Sequence, residues 1–251
     1  MEIKKKFILT IVLLSYLATA INGAIVITGL ENMAKDLDLN QSVLSWVQNS
    51  YVLAWGCFML LGGRLSDAFG RRVILNLSLL LFGIGSLFAG IATSATILIL
   101  SRFIQGVGAS ILAPTSLALI MDYFTGEERI KAIAWYSSIS GLGMCIGLVM
   151  GGTLASFLSW RYGFFIYLPL IVFMLIVSMK VLNKNNKKHS KGYFDIYGTI
   201  ASVIGIFSFV YAINGASNIW LWLIVSCISL FLFMRIESKA TAPIMPLRLF
   251  N

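Results

Sequence analysis

The chain has 251 residues, of which 59% are hydrophobic and only 12% are charged, and its mean hydropathy is +0.89. A soluble globular domain carries about 25% charged residues, and no soluble core of this length can bury so much apolar surface. The net charge of +9 does not indicate nucleic-acid binding, because the lysines lack the interleaved aromatic residues that a nucleic-acid groove uses. Composition therefore predicts a membrane protein.

Cysteine and histidine are too few and too scattered for a metal or disulfide framework. Cys57, Cys145 and Cys227 all lie within apolar runs, and the single histidine, His189, lies among lysines. An odd number of cysteines without metal-ligand spacing predicts buried small side chains, with no metal and no cofactor. Because nucleophile–base pairs and phosphate-binding loops are also missing, we expect no enzyme activity.

Eight apolar runs are long enough to cross a bilayer, which takes about 20 residues of helix. Their composition does not alternate as barrel strands do, so helices are expected. The first run follows a lysine triplet and contains Ala18-Thr19-Ala20, as a signal peptide does, but it continues to Gly29 and predicts an uncleaved span. The predicted spans are residues 7–29, 44–62, 73–91, 96–120, 132–157, 162–182, 196–213 and 219–235.

The basic residues predict the orientation of these spans. With the N-terminus inside, 16 of the 19 lysines and arginines fall on the cytoplasmic side. Only Lys35 and Arg161 fall outside, and Arg102 lies within a span. Positive residues favour cytoplasmic loops, so both termini are predicted to be cytoplasmic.

A short charged loop is predicted between the second and third spans, where residues 63–72 read Gly-Arg-Leu-Ser-Asp-Ala-Phe-Gly-Arg-Arg. Gly63 and Gly70 permit the close approach or positive φ that a tight connection needs. Asp67 is placed to cap the third helix or to pair with Arg71 or Arg72. Simple positive-inside anchoring is one interpretation, and a hinge that opens in one state is the other.

Arg102 lies inside the fourth predicted span, one helical turn before Gln105. An arginine that faces lipid costs at least about 2.5 kcal/mol, which predicts that Arg102 faces a polar cavity. The alternative is that its side chain reaches the outer surface, about 9 Å away.

The fifth span carries glycines at four-residue spacing, which places them on one helix face. Small residues at this spacing let two membrane helices touch closely. The predicted packing glycines are Gly143, Gly147 and Gly151, with Gly152 beside them.

These three segments, in this order, resemble signature motifs of the major facilitator superfamily. In that family, the loop that residues 63–72 resemble gates alternating access. The arginine of the motif like residues 102–109 is implicated in proton coupling, together here with Gln105. Residues 143–152 resemble the antiporter motif, in which the glycines permit rocking, although Leu148 stands where the family has proline.

Further segments resemble the fourteen-span drug:proton antiporters, which insert two helices between two six-span halves. The segments concerned are residues 46–51, 159–169, 194–198 and 243–250. The implied fold is all-α: a six-span N-terminal bundle over residues 1–182, a basic cytoplasmic linker over 183–195, and two extra spans over 196–251 that lead toward a C-terminal half.

The first span departs from that branch, because Asn22 replaces its acidic residue and Glu31 replaces its proline. No carboxylate lies deep in any predicted span. Either a missing half supplies the proton-carrying acid, or Glu31 supplies it from a shallower position, or the coupling is altered.

The resemblance implies proton-coupled export of lipophilic or cationic compounds across the cell membrane. We expect the partners to be lipid, protons, a small-molecule substrate and either a second transporter half or a homodimer. Asn22, Tyr51, Trp55 and Tyr136 are the predicted cavity residues, although lipid contact is the simpler interpretation of any single aromatic. The alternative function is a non-transporting fragment or subunit that needs a separate C-terminal half.

Overall fold

The computed structural model describes residues 2–182, 196–213 and 218–239. Within these ranges the regular secondary structure is entirely α-helical. The predicted linker 183–195 and the segment 240–251 lie outside the described residues. The helices are α1 (Glu2–Asp36), α2 (Gln41–Phe69), α3 (Arg71–Gly90), α4 (Ala95–Tyr123), α5 (Gly126–Phe157), α6 (Tyr162–Phe165), α7 (Tyr167–Val181), α8 (Ile196–Ile213) and α9 (Ile219–Lys239).

Seven of the eight predicted spans each coincide with one of these helices, and the eighth, 162–182, covers α6 and α7. In the described part of the chain, six helical segments are long and apolar enough to cross a membrane, and one of them, Tyr162–Val181, comprises α6 and α7. Helix α2 makes a seventh if its two parts, which are bent by 53°, count as one span. The apolar part of α8, Tyr197–Ile213, is shorter. The chain is therefore a multi-pass helical membrane protein.

The prediction of a ten-residue loop between the second and third spans is wrong in extent. Helix α2 continues to Phe69 and α3 begins at Arg71, so Gly70 alone connects them. Gly70 has φ 95° and ψ 138°, a conformation that side chains disfavour. The charged residues looked like a loop because they lie beyond the apolar run, although the helix continues past it.

Helix α4 is the centre of the bundle and packs closely against α2 and α3, while α1 packs along α5. Close approach depends on glycine. A Cβ at Gly62 of α2 would lie 2.7 Å from the Ile111 Cα of α4, and a Cβ at Gly108 of α4 would lie 2.5 Å from the Phe82 nitrogen of α3. At these α2–α4 and α3–α4 contacts the helix backbones lie close together. Large apolar side chains lie on the outer surface of the bundle.

Helices α8 and α9 form a hairpin beside the first six spans. Within the hairpin, the Ser226 hydroxyl donates to the Gly205 carbonyl oxygen at 2.8 Å. Helix α8 packs against α2, where the Trp46 and Tyr211 ring centroids are 5.6 Å apart. Helix α8 of the hairpin therefore contacts the side of α2.

The prediction that all three cysteines are buried is wrong for two of them. Cys57 is buried in α2, whereas Cys145 and Cys227 are exposed on the outer surface. An apolar run predicts membrane depth but does not reveal which side of the helix faces lipid.

Candidate functional site: a buried arginine cluster

Arg102 lies at the centre of a buried polar cluster, and its side chain has no solvent exposure. Its Nε donates to the Val47 carbonyl oxygen at 3.2 Å. Its Nη1 donates to Gln105 Oε1 at 2.5 Å and, more weakly, to Asn22 Oδ1 at 3.4 Å. The guanidinium carbon lies 4.3 Å from the centroid of the Tyr51 ring. The alternative in which Arg102 reaches the outer surface is therefore wrong.

Glycine at position 106 allows α2 to approach the cluster. A Cβ at Gly106 would lie 2.5 Å from the Tyr51 carbonyl oxygen and 2.8 Å from the Ala54 Cβ. Without that side chain, Tyr51 and Val47 of α2 come close enough to meet Arg102 one turn earlier on α4. Glycine at position 106 therefore allows the Arg102 guanidinium to lie close to the Tyr51 ring and the Val47 carbonyl oxygen.

A second close contact brings α3 to the other side of Gln105. A Cβ at Gly85 would lie 2.6 Å from the Gln105 nitrogen. Next to it, Gln105 Nε2 donates to the Ser86 hydroxyl at 2.7 Å. The amide of Gln105 is thus held at both ends, and its oxygen is directed at Arg102.

The cluster contains no hydrogen-bonded carboxylate. None of the ion pairs among the described residues includes Arg102. Neutral oxygens and an aromatic face stabilise the cation, although a buried charge normally pairs with an opposite charge. Three buried polar atoms have no hydrogen-bond partner here: Arg102 Nη2, Asn22 Nδ2 and the Tyr167 hydroxyl.

The structure does not bring Glu31 into this cluster. Glu31 lies near the C-terminal end of α1 with its side chain 79% exposed, and its Oε1 lies 2.7 Å from the Lys35 Nζ. That pair spans one helical turn at the surface. Of the predicted coupling residues, Arg102 and Gln105 are therefore together and Glu31 is apart.

A second charged network joins α2, α3 and α4 at the end of the bundle where Gly70 lies. The Arg71 guanidinium lies 2.6 Å from Asp67 and 3.1 Å from Asp122, and it also donates to the Ser66 hydroxyl. Asp67 therefore pairs with Arg71 and does not cap α3. Arg72 points elsewhere and donates to the Leu182 carbonyl oxygen at 3.2 Å. Asp122 was not predicted, although its position just past an apolar run was a usable signal.

Gly62, and not the predicted Gly63, is the glycine of α2 that lies in close contact with α4. An added Cβ at Gly63 would be in ordinary contact with Pro114, at 3.9 Å. At Gly62, the same atom would lie 2.7 Å from the Ile111 Cα and 2.9 Å from the Ser110 carbonyl oxygen. Sequence spacing could not separate these neighbours, because they differ only in which helix face they occupy.

The glycine face of α5 packs directly on α1. A Cβ at Gly143 would lie 2.7 Å from the Ala20 Cβ, and one at Gly147 would lie 2.7 Å from the Ile21 carbonyl oxygen. Gly151 similarly leaves no room beside Thr28. Gly152 has nothing within 4 Å of an added Cβ and does not take part in the seam.

An ion pair at the opposite end of the bundle joins α1 to the start of the sixth span. The Asp36 carboxylate accepts hydrogen bonds from Arg161 Nη1 and, at 3.2 Å, from the Trp160 indole. Arg161 Nη2 also donates to the Ala92 carbonyl oxygen at 2.7 Å. Sequence reasoning missed the partner of Arg161, although opposite charges just beyond neighbouring spans are a recognisable signal.

The predicted cavity aromatics do not form one group. Tyr51 is buried in the arginine cluster, near Asn22. Tyr136 stacks on Tyr16 with centroids 4.1 Å apart and donates to the Ala113 carbonyl oxygen at 3.2 Å. Trp55 is 37% exposed at the outside of α2.

Comparison with known proteins identifies the class of this chain. The family model described as Major Facilitator Superfamily matches residues 12–247. The chain therefore belongs to the major facilitator superfamily.

Two relatives and one solved structure illustrate the similarity. The puromycin resistance protein pur8 of Streptomyces alboniger is 34% identical over 95% of this chain and 48% of its own length. The multidrug transporter protein MdtP of Bacillus subtilis (strain 168) is 31% identical over 99% of this chain and 47% of its own length. The POT family transporter PepTSo shares the fold with a TM-score of 0.64 at 16% identity, over 98% of this chain and 54% of that one.

The chain spans about half the length of the curated relatives that it matches. The predicted superfamily and all-α membrane fold are confirmed. One of these relatives is described as a puromycin resistance protein and the other as a multidrug transporter, and the extension of either activity to this chain is a proposal.

Proposed function

We propose that these residues form the N-terminal half, with two added helices, of a proton-coupled exporter of drug-like compounds. The observation that carries the proposal is the similarity over almost the whole chain to a puromycin resistance protein and a multidrug transporter. The similarity covers 95–99% of the chain and so extends over the α8–α9 hairpin, which supports the fourteen-span arrangement.

We propose that a second half packs against α5, which has an apolar surface on the side away from α1. The side of α5 that faces away from α1 exposes Leu142, Met144, Ile146 and Val149. In transporters built from two related halves, the substrate site lies between the halves near the midplane. We propose that a C-terminal half approaches this side, and that the compound is bound between the two.

The contact between the α5 glycines and α1 would allow the angle between the two helices to change. The glycines of α5 present no side chains to α1, and they lie against backbone atoms and side chains of that helix. The Arg71 network would hold the cytoplasmic ends together in one state, and the Asp36–Arg161 pair would hold the outer ends in the other. Partly exposed ion pairs are worth about 0–1 kcal/mol each, so either set can break during transport.

The structure favours one of the three explanations for the missing acid. Glu31 is exposed and paired with Lys35, away from Arg102. Arg102 and Gln105 are fixed by neighbours on α2 and α3. We therefore propose that a C-terminal half supplies the carboxylate that carries the proton, while Arg102 sets the local potential.

The orientation proposed is that of an exporter in the cell membrane with both termini cytoplasmic. Lys5 lies 2.5 Å from Glu128, which places the start of α1 beside the start of α5. The Arg71 network lies at the ends of α2 and α4 and the start of α3, where most basic residues were predicted to be cytoplasmic.

The test is drug susceptibility of a sensitive bacterial host that expresses the full chain, meaning these residues joined to the proposed C-terminal half, with and without a protonophore. Arg102→Ala should abolish resistance while the protein remains in the membrane at normal abundance. Arg235→Ala is the matched control, because it removes an arginine of α9 that lies outside the cluster and outside both ion-pair networks, and it should retain most of the resistance. Full resistance in the Arg102→Ala variant would contradict the proposed role.

The second candidate function is a subunit or fragment that does not transport alone, and the half-length match favours it for the 251 residues by themselves. Cells that express only these residues should then show no protonophore-sensitive efflux despite good membrane expression. Efflux from these residues alone would instead indicate a homodimer.

A further inference from the structure

The α8–α9 hairpin has two contact surfaces of different composition. The first is formed by the buried residues of α8, all of them small: Gly198, Thr199, Ser202, Gly205, Ser208 and Ala212. Gly205, in the middle of this surface, packs on α9, because a Cβ added to it would lie 2.7 Å from the Leu230 Cδ2 and its carbonyl oxygen accepts from Ser226 at 2.8 Å. Small residues and interhelical hydrogen bonds hold membrane helices together. The two helices of the hairpin are therefore held to each other by contacts of their own.

The second surface of α8 carries larger side chains and packs on α2. The Trp46 ring of α2 and the Tyr211 ring of α8 have centroids 5.6 Å apart. Tyr211 also contacts the Trp222 ring of α9, with centroids 4.8 Å apart. About two helical turns before Tyr211, the Val203 carbonyl oxygen accepts from the Cys57 thiol of α2 at 3.8 Å. Tyr211 therefore joins all three helices at one end of the contact, and Val203 extends the contact along α2.

We propose that the hairpin is a separate module, which docks on the side of α2 that carries Trp46 and Cys57 and does not need the linker 183–195 to remain there. Apolar burial alone does not drive this association, because lipid tails are as apolar as the side chains that they would replace. A specific contact is needed, and the Tyr211 ring supplies it between Trp46 and Trp222. The partner that this surface of α8 fits is therefore α2 itself.

Docking on α2 assigns the hairpin to the first six spans. The contact of the hairpin with the bundle is mainly that of α8 with α2, whereas α9 exposes Trp220, Leu221 and Ile224 on the outer surface. The hairpin should consequently move as one body with α2 when the two halves of a transporter rearrange. This inference does not rest on the proposed function, because docking can be measured without transport.

Cys57 reports whether the hairpin is docked. Its side chain is 1% exposed, and its thiol is directed at the backbone of α8. Cys145 is exposed on α5, which packs on α1 and not on the hairpin. Departure of the hairpin should therefore open Cys57 to a lipid-soluble maleimide and leave the labelling of Cys145 unchanged.

The experiment cuts the linker of the purified 251-residue chain in detergent micelles, at a protease site placed within residues 183–195. After cleavage, Cys57 should label as slowly as before, as measured by mass spectrometry of its peptide, and a C-terminal affinity tag should still retain residues 1–182. In Tyr211→Ala, cleavage should raise the labelling rate of Cys57 at least about tenfold and release residues 1–182. The reason is that the reactivity of a buried group follows the population of the opened form.

Two variants of α8 act as controls. Phe209→Ala removes an aromatic ring from the exposed side of the helix, two residues from Tyr211, and should leave both measurements unchanged. Tyr211→Phe keeps the ring and should remain docked after cleavage. If Tyr211→Ala does not fold, as judged by tryptophan fluorescence before cleavage, Trp46→Ala removes the same contact from the side of α2.

Rapid labelling of Cys57 and loss of residues 1–182 on cleavage of the unsubstituted chain would overturn the proposal, because the linker would then be holding the hairpin in place. Continued protection of Cys57 after cleavage of both Tyr211→Ala and Trp46→Ala would also overturn it, because the aromatic contact would not be what docks the hairpin. Drug susceptibility tests the proposed function separately from either result.

Discussion

Replacing Gly147 by alanine tests whether the α1–α5 seam depends on direct backbone contact. The added Cβ would lie 2.7 Å from the Ile21 carbonyl oxygen, 2.8 Å from the Ala24 Cβ and 3.0 Å from the Ile21 Cα. Two of these three neighbours are backbone atoms, so no change of rotamer relieves the clash. Ordinary contact begins at 3.4 Å, and α1 and α5 must therefore separate by about 0.7 Å.

The matched control is Gly152→Ala, in the same helix and with nothing within 4 Å of the added Cβ. Glycine-to-alanine in a helix interior gains up to about 1 kcal/mol in helix propensity, and this gain is common to both variants. Their difference therefore isolates the steric cost. Overpacking costs about 1–3 kcal/mol, which should lower the Tm of Gly147→Ala by about 2–12 °C relative to Gly152→Ala.

The assay is thermal unfolding of both purified variants by intrinsic tryptophan fluorescence in the same lipid nanodiscs. Equal Tm values for Gly147→Ala and Gly152→Ala would refute the reasoning, because they would show that the seam has room for a side chain.

Three further predictions concern the two ends of the bundle and its surface. Arg71→Gln breaks two partly exposed ion pairs and should lower the free energy of unfolding by about 0.5–1.5 kcal/mol, measured by thermal unfolding. The control is Arg64→Gln, because Arg64 makes no ion pair among the described residues. This control should lower the free energy of unfolding by less than about 0.5 kcal/mol. Asp36→Asn should lower Tm in low salt, and the loss should shrink in 1 M NaCl because salt screens the partly exposed pair; an unchanged loss would argue for a buried interaction. A lipid-soluble maleimide should modify Cys145 in the folded protein and Cys57 only after unfolding, as measured by mass spectrometry; rapid modification of Cys57 would contradict its burial.

Span positions and the burial of Arg102 were predictable because they depend on one-dimensional signals. Apolar length identifies membrane helices, and the cost of an arginine in lipid predicts that Arg102 is enclosed. The four-residue spacing in α5 predicts one packed face, and Gly147 does lie against α1. Gly152 could be recognised as outside that face only with the structure.

The sequence did not predict which side chains form ion pairs between distant helices. The Arg71 contact with Asp122 crosses 51 positions, and the Arg161 contact with Asp36 crosses 125. Such pairs depend on which helices are neighbours, and helix order in a bundle is not encoded in local composition. The continuation of α2 to Phe69 was missed for another reason, because a helix can extend into water while its charged residues suggest a loop.

The most direct test of the central claim is export by the purified full chain in liposomes with an imposed pH gradient. With the interior made acidic, a fluorescent cationic drug should accumulate at a rate that a protonophore abolishes, and Arg102→Ala should reduce that rate to the level of empty liposomes. Movement that is unaffected by the protonophore, or equally fast in Arg102→Ala, would contradict a proton-coupled exporter organised around Arg102.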